Sequence, residues 1–405
     1  MKKHTIFIVA GEPSGDLHGA NLAREIRRIQ PGVVIQGVGG EKMSATGIEL
    51  RHDLAKEAIM GFTEVLKKFG RIRAIFRDTV KFLEENRPDL LILIDYPGFN
   101  LRLAEQAKRL GIRTVYYICP QVWAWGKRRV GHIARLVEKV IVILDFEKSI
   151  YEGVGLSVEF VGHPLIDHIQ RTPLDQDYTA EHETAGGVVL GLLPGSRPQE
   201  VRRHLPVMLR SVELLHQELP ESRFLVACPN EQIDLLARRV LDKWRDRQTR
   251  RKQQSLPHVE IACGKTYEVI ELSSACLVAS GTATLETAYF LKPMVVIYMT
   301  SFGSWLLARS IIEVEHIAMV NIFAGKRVVP EFIQFGARPE RIAAEVLDLL
   351  RNDQRRADIE RDLREVKERL GRPGASERAA RAVVDILERP TAGPEADLCR
   401  AVPAG

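Results

Sequence analysis

The sequence predicts an α/β protein of two doubly wound parallel-sheet domains, Rossmann-like and facing across a cleft. Three observations lead there. Short apolar runs alternate with amphipathic helical stretches along most of the chain, which is the rhythm of a parallel sheet covered by helices. A polar interval interrupts that rhythm once. And 405 residues are comfortable for two domains that each bury a core.

The first half carries the runs Thr5 to Ala10, Val33 to Val38, Leu90 to Ile94, Thr114 to Ile118, Val140 to Leu144 and Val158 to Val161, expected as strands. Polar and Gly-rich residues from Arg171 to Gly187 read as a linker. The pattern resumes at Val188 to Leu193, Arg223 to Ala227, Val259 to Ala262, Leu277 to Ser280 and Met294 to Tyr298. Expected domains are therefore 1–170 and 188–350, followed by C-terminal helices over 351–388 and a frayed tail over 389–405. The charged stretch Asp242 to Gln254 reads as an exposed helix end or loop.

Composition excludes several classes. Hydrophobic residues at 45% and charged residues at 27% are ordinary for a soluble globular protein. The balance of 58 basic against 53 acidic residues, a net +5, is too mild to indicate nucleic acid. Five cysteines without CxxC spacing read as reduced packing residues, and no signal peptide or membrane-spanning stretch is evident, which places the chain in the cytoplasm. His163 has no partners at metal-ligand spacing, so neither a metal nor a cofactor is expected.

Sheets of this kind bind ligands beyond the carboxyl ends of their strands, and the informative loops all follow strands. Ser280-Gly281-Thr282-Ala283-Thr284-Leu285-Glu286 reads as strand, tight turn and helix start. Such a turn aims backbone N–H groups and hydroxyls at one spot before a positive helix end, which suits a diphosphate, with Glu286 in reach of sugar hydroxyls. Leu193-Pro194-Gly195-Ser196-Arg197 adds a guanidinium whose fixed charge neutralises a leaving diphosphate without a metal.

In the first half, Gly11-Glu12-Pro13-Ser14-Gly15-Asp16 stands where a dinucleotide fingerprint would but lacks its GxGxxG spacing, which argues against nicotinamide chemistry. Asp95, at the exit of the apolar run Leu90 to Ile94, is a candidate general base lifted in pKa by partial desolvation, with Asn100 orienting it or the acceptor. Trp123, in Val122-Trp123-Ala124-Trp125, offers an aromatic face to a sugar or acyl chain. Ile59, Met60 and Phe62 lead into Val65, Leu66 and Phe69 among several Lys and Arg residues. That combination suits an interfacial helix on anionic lipid.

Taken in order, the Gly11 to Asp16, Ile59 to Phe62, Ile94 to Asn100, Val122 to Trp125, Leu193 to Arg197, Ser280 to Glu286 and Asn321 to Gly325 motifs resemble the lipid-A-disaccharide synthase family over nearly the whole chain to about Glu388. Pro13 stands where that family commonly has Ala. The resemblance implies a metal-independent, inverting glycosyltransferase of the GT-B type. It implies UDP-2,3-diacylglucosamine as donor and 2,3-diacylglucosamine 1-phosphate as acceptor, giving a β-1,6-linked disaccharide 1-phosphate and UDP. It further implies Asp95 as base, Arg197 with Gly281, Thr282 and Ala283 at the diphosphate, and Glu286 and Asn321 near the nucleoside. Ser14, Gly15, Asp16, Asn100 and Trp123 are expected on the acceptor or sugar side, with the roles of Glu12 and Asp16 left open. Peripheral attachment to the cytoplasmic face of the inner membrane, and a homodimer with exchanged C-terminal helices, belong to the same implication. The alternatives are another UDP-sugar enzyme of this fold, such as a 2-epimerase or a transferase with a soluble acceptor, and a non-catalytic membrane-bound sensor of nucleotide sugars.

Overall fold

The computed structural model describes residues 3–54, 65–125, 129–184, 186–250, 256–301, 303, 305 and 315–389. They form two compact units, the first spanning Met1–Pro164 together with Pro373–Gly405, the second Leu165–Arg372.

Unit one is built on a seven-stranded, all-parallel sheet. Its strands are β1 (Thr5–Ala10), β2 (Val34–Gly39), β3 (Glu49–Asp53), β4 (Leu90–Ile94), β5 (Thr114–Tyr117), β6 (Lys139–Val142) and β7 (Ser157–Phe160), in the order β3-β2-β1-β4-β5-β6-β7. The central strands are apolar because helices cover both faces: all five residues of β4 are fully buried. The edge strand β3, Glu49-Leu50-Arg51-His52-Asp53, is polar and half-exposed. That is why hydrophobicity alone gives no strand there.

Unit two repeats the plan with six parallel strands: β8 (Val189–Leu193), β9 (Arg223–Cys228), β10 (His258–Cys263), β11 (Ala275–Ala279), β12 (Met294–Tyr298) and β13 (Glu331–Ile333). Their order is β10-β9-β8-β11-β12-β13. In both sheets the strand order reverses once, between β1 and β4 in the first and between β8 and β11 in the second. Helices leave the sheet in opposite directions at that point and open a crevice beyond the strand ends.

One expectation needs correction. The supposed linker contains the helix Gln176–Thr184, whose Tyr178 hydroxyl donates to Glu260 (3.1 Å) and whose His182 ring meets the same carboxylate (3.2 Å). Its polar composition is that of a helix with polar docking contacts. The stretch from Asp242 is, up to Arg250, the mostly exposed end of the helix Glu231–Arg250, as expected, anchored by the buried Trp244, whose indole N–H donates to Glu213 (2.6 Å).

The helix Ala375–Glu388 is the last among the described residues yet belongs to unit one. It packs on the helix Pro13–Ile29 through a face rich in small buried residues, among them Ala375, Ala379, Ala380 and Ala382, and Arg28 of that helix pairs with Glu377 (3.0 Å). Arg378 fixes it further, donating through Nε (2.9 Å) and Nη2 (2.7 Å) to the Val161 carbonyl just beyond β7.

Candidate active site

Topology sorts the sequence motifs without further assumption. The loops at the switch point of unit one are those after β1 and β4, which carry Gly11 to Asp16 and Asp95 to Asn100. In unit two they follow β8 and β11 and carry Pro194 to Arg197 and Ser280 to Glu286. Two concavities, of about 440 and 550 Å³, lie elsewhere. They are lined by residues preceding strands, such as Asp89 and Arg113 or Ser274 and Pro293, and so mark the amino edges of the sheets.

In unit one the chain turns sharply as β4 ends. Asp95 (φ 48°) and Tyr96 (φ 47°) are both left-handed, and so is Ile118 (φ 57°) at the exit of the neighbouring β5. Such a conformation costs of order 1–3 kcal/mol for a residue with a side chain, and most for a β-branched one, so it persists only where neighbours enforce it. Here they do. The Asp95 carbonyl accepts from the Tyr116 hydroxyl (2.7 Å) and from Asn100 Nδ2 (2.7 Å), while the Asp95 N–H donates to Ile118 O (3.1 Å). Asn100 Nδ2 also donates to Ile94 O (3.1 Å).

Gly11 completes the arrangement. A Cβ there would fall 2.2 Å from the Tyr96 ring, so only glycine lets that ring cross the end of β1. The crossing sets Glu12 beside Asp95. Burial first, and the Glu12 charge second, push the Asp95 carboxyl up to about 6, partly offset by a hydrogen bond from the Tyr96 backbone. Asp95 is only partly buried, ionised at neutral pH and close enough to protonation to accept a proton from a hydroxyl.

Other predicted residues in unit one fall into place differently. Ser14 is exposed, and Gly15 is packed against Ala10 and Ile94. Asp16 is buried and accepts from the N–H groups of Gly40 (2.8 Å), Lys42 (2.9 Å) and Met43 (3.0 Å). It therefore caps the short helix Glu41–Ser44, and its carboxylate is not available to an acceptor. Asn100 is fully buried and acts on the Asp95 backbone. Trp123 donates its indole N–H to Glu147 (3.2 Å) and meets Phe146 edge-on. Glu147 is buried and pushed up to about 8 by desolvation, so it is neutral at pH 7. Ile59, Met60 and Phe62 lie outside the described residues. Of Val65, Leu66 and Phe69 only the backbone is described, at the start of the helix Val65–Asn86.

In unit two, Arg197 is the N-cap of the helix Pro198–Glu218 and is largely exposed. Glu200 folds back to accept from the N–H groups of Ser196 (3.1 Å) and Arg197 (3.2 Å). The turn needs glycine at 195, where φ is +114° and a Cβ would come within 2.4 Å of the Glu200 carboxylate. Glu200 thus occupies the N–H groups of the loop and also pairs with the exposed Arg197 guanidinium (3.4 Å).

After β11, no acceptor among the described residues faces the N–H groups of Gly281, Thr282 and Ala283, and the space around Gly281 is open. Glu286 accepts from the Tyr267 hydroxyl (3.2 Å), and burial raises its pKa. Asn321 is fully buried. Its Oδ1 accepts from Val328 and Val329 N–H (2.8 and 2.9 Å) and its Nδ2 donates to Val329 O and Glu331 (2.8 and 2.6 Å). With every polar atom engaged, it shapes the segment before β13 and has nothing left for a nucleoside.

Sequence reasoning missed Tyr116, Glu200 and Tyr267, and left the role of Glu12 open. Tyr116 hides within an apolar strand, and only Glu200, three residues into a helix from its N-cap, carries a readable signal, that of a capping box.

The family model described as lipid-A-disaccharide synthetase matches residues 6–386. The chain belongs to that family. It is 42% identical over 390 residues to lipid-A-disaccharide synthase of Syntrophus aciditrophicus, covering 96% of this chain and 99% of that protein. It is equally identical over 386 residues to the Nitrosococcus oceani synthase, covering 95% and 96%. This is a glycosyltransferase, with the disaccharide-forming activity that gives the family its name. Among solved structures it resembles a putative UDP-N-acetylglucosamine 2-epimerase from Listeria monocytogenes (TM-score 0.60, 14% identity, 96% and 97% covered). It also resembles the glycotransferase of kitacinnamycin (TM-score 0.60, 16% identity, 95% and 100% covered). At such identities the likeness speaks for the fold alone, which is the GT-B arrangement of two parallel-sheet domains.

Because the Glu12 charge contributes to the raised Asp95 pKa, Glu12→Gln should lower that pKa, read as an acid limb of the kcat/KM–pH profile that moves to lower pH than in the wild type. A limb that stays in place would show that Glu12 does not act on the titrating group.

Proposed function

We propose that this synthase joins a UDP-2,3-diacylglucosamine donor to a 2,3-diacylglucosamine 1-phosphate acceptor, with Asp95 as base and the unit-two loops holding the diphosphate. The observation that carries the reading is Asp95 itself, a carboxylate with its pKa lifted to about 6 on a doubly left-handed turn, pinned at the switch point of its sheet. A strained, desolvated carboxylate in that position is costly for stability and suited to proton abstraction.

The chemistry balances without a metal. Asp95 takes the proton of the acceptor 6-hydroxyl as its oxygen bonds to the anomeric carbon of the donor. The bond from that carbon to the diphosphate oxygen breaks on the opposite face, giving inversion and a β-1,6 linkage. UDP leaves as an anion, so no general acid is needed, and charge on the departing oxygens is met by the Arg197 guanidinium and the amides of Gly281, Thr282 and Ala283. Glu286, anchored by Tyr267, is assigned to the sugar or ribose hydroxyls of the donor. Trp123, held by Glu147, is assigned to the acceptor. Ser14 and Gly15 line the Asp95 side of that acceptor position.

No described helix is long and apolar enough to cross a membrane, yet both substrates are acylated. The reading therefore includes peripheral attachment to the cytoplasmic surface of the inner membrane through Ile59, Met60 and Phe62 with the start of the helix Val65–Asn86. Arg71, Arg73, Arg77 and Lys81 on that helix supply charge for anionic headgroups.

Asp95→Asn should reduce turnover by at least about a thousandfold, within the range general-base catalysis contributes, while UDP affinity stays near wild type. Turnover within tenfold of wild type would remove the base assignment. Arg197→Ala should weaken UDP binding measured by calorimetry by roughly tenfold or more, since it withdraws a fixed cation from the phosphates. An unchanged affinity contradicts the diphosphate reading. Replacing Ile59, Met60 and Phe62 with Ser should lower the fraction sedimenting with phosphatidylglycerol-containing vesicles while thermal stability holds, and equal partitioning would count against this attachment surface.

A further inference from the structure

His204 sits on the second turn of the helix Pro198–Glu218 and is 1% exposed. Its two ring nitrogens reach two different strand exits. Nε2 accepts from the Met299 N–H (3.0 Å), just past the end of β12. Since that nitrogen is an acceptor, the ring proton is on Nδ1, which donates to the Pro194 carbonyl (2.9 Å), just past the end of β8. Burial opposes a second proton, so the imidazole is neutral and its tautomer is fixed by its partners.

The two strands it joins are not neighbours. The order β8-β11-β12 places β11 between them, so the exits are two strand spacings, roughly 10 Å, apart. No backbone hydrogen bond covers that distance. A planar ring with an acceptor at one end and a donor at the other does, and here it spans the exit of the strand that leads into the Ser280 to Glu286 turn. Pro194 lies three residues before Arg197, and the loop between them is closed on the other side by Glu200. On the far side, Thr300 N–H donates to Gln334 Oε1 and Gln334 Nε2 donates to the Thr300 carbonyl (both 3.0 Å), so the segment after Met299 is itself clamped.

We propose that His204 is a positioning residue for the donor diphosphate, a strut across β11 that fixes the Arg197 loop at a set distance from the amides of Gly281, Thr282 and Ala283. The proposal rests on the reading of those loops as the diphosphate site. His204 touches no substrate, and acts on binding through the Pro194 carbonyl.

Three variants separate the two hydrogen bonds. His204→Asn keeps a donor near the Nδ1 position, His204→Gln keeps an acceptor near Nε2, and His204→Phe keeps the ring shape and neither polar atom. UDP affinity by calorimetry, donor and acceptor KM, and thermal midpoints are measured for each, with Arg197→Ala alone and combined with His204→Phe. His204→Phe should raise the UDP dissociation constant and donor KM on the order of tenfold, the worth of one good hydrogen bond, while acceptor KM stays within about twofold. His204→Asn should recover most of the affinity because it keeps the link to Pro194. The double variant should bind UDP no more weakly than Arg197→Ala, because both changes remove the same interaction.

A folded His204→Phe with wild-type UDP affinity, beside an Arg197→Ala that has lost affinity, overturns the strut and leaves the diphosphate site standing. Fully additive effects, or acceptor and donor KM rising together, overturn it as well. Wild-type affinity in Arg197→Ala points instead to failure of the underlying site reading. Should His204→Phe not fold, the two amide variants decide: His204→Gln weaker than His204→Asn for UDP supports the strut, and two wild-type affinities overturn it.

Discussion

The clamp on the Asp95 carbonyl is the constraint on which the rest of unit one depends. Strand β4 is apolar along its whole length and would deliver the next residue in ordinary extended geometry. The Tyr116 hydroxyl and the Asn100 amide instead hold Asp95 and Tyr96 left-handed. The carboxylate then stands at the rim of the sheet, dry enough to hold a raised pKa. Gly11, Glu12 and Tyr96 follow from that turn: the tyrosine ring needs the space a side chain at 11 would fill, and the glutamate arrives where its charge acts on Asp95. Strain, burial and like charge, each unfavourable to folding, coincide at the group proposed to accept the proton.

Unit two solves a different problem with different means. The diphosphate proposed to bind there needs fixed positive charge and undistorted amides, and the loops after β8 and β11 show little strain in their side-chain-bearing residues. Their precision comes from polar side chains used as internal braces. Glu200 satisfies the first loop, His204 ties it to β12, Gln334 clamps the segment beyond, and Asn321 locks the approach to β13. Several are residues whose chemistry suggests contact with a ligand. Their complete internal hydrogen bonding identifies them as scaffold.

Much of this was legible in the sequence, for reasons that also explain what was not. Buried parallel strands are apolar throughout, so β1, β4 and β12 are visible at their true limits, whereas β3, polar and at the edge, and β13, three residues long, carry no such signature. Motifs that follow strands were found because post-strand loops in this fold hold the chemistry, and Asp95 stands out by its position alone. Direction and commitment of a side chain are another matter. Asp16 and Asn321 belong to motifs that resemble the family's, but nothing in a one-dimensional string says that three N–H groups already occupy one, or that two amides and two acceptors already occupy the other. Tyr116 is the converse, a strand tyrosine whose hydroxyl happens to end beneath a strained peptide.

The placement of the helix Ala375–Glu388 has a consequence for biosynthesis. The amino-terminal unit lacks one of its own helices until residues beyond Arg372 have been made, so the face of the helix Pro13–Ile29 that it covers stays bare while all of Leu165–Arg372 is being synthesised. The second unit is contiguous and has no such wait. Translation order and order of completion of the two units are thereby inverted: the half proposed to supply the base is begun before the other and finished after it.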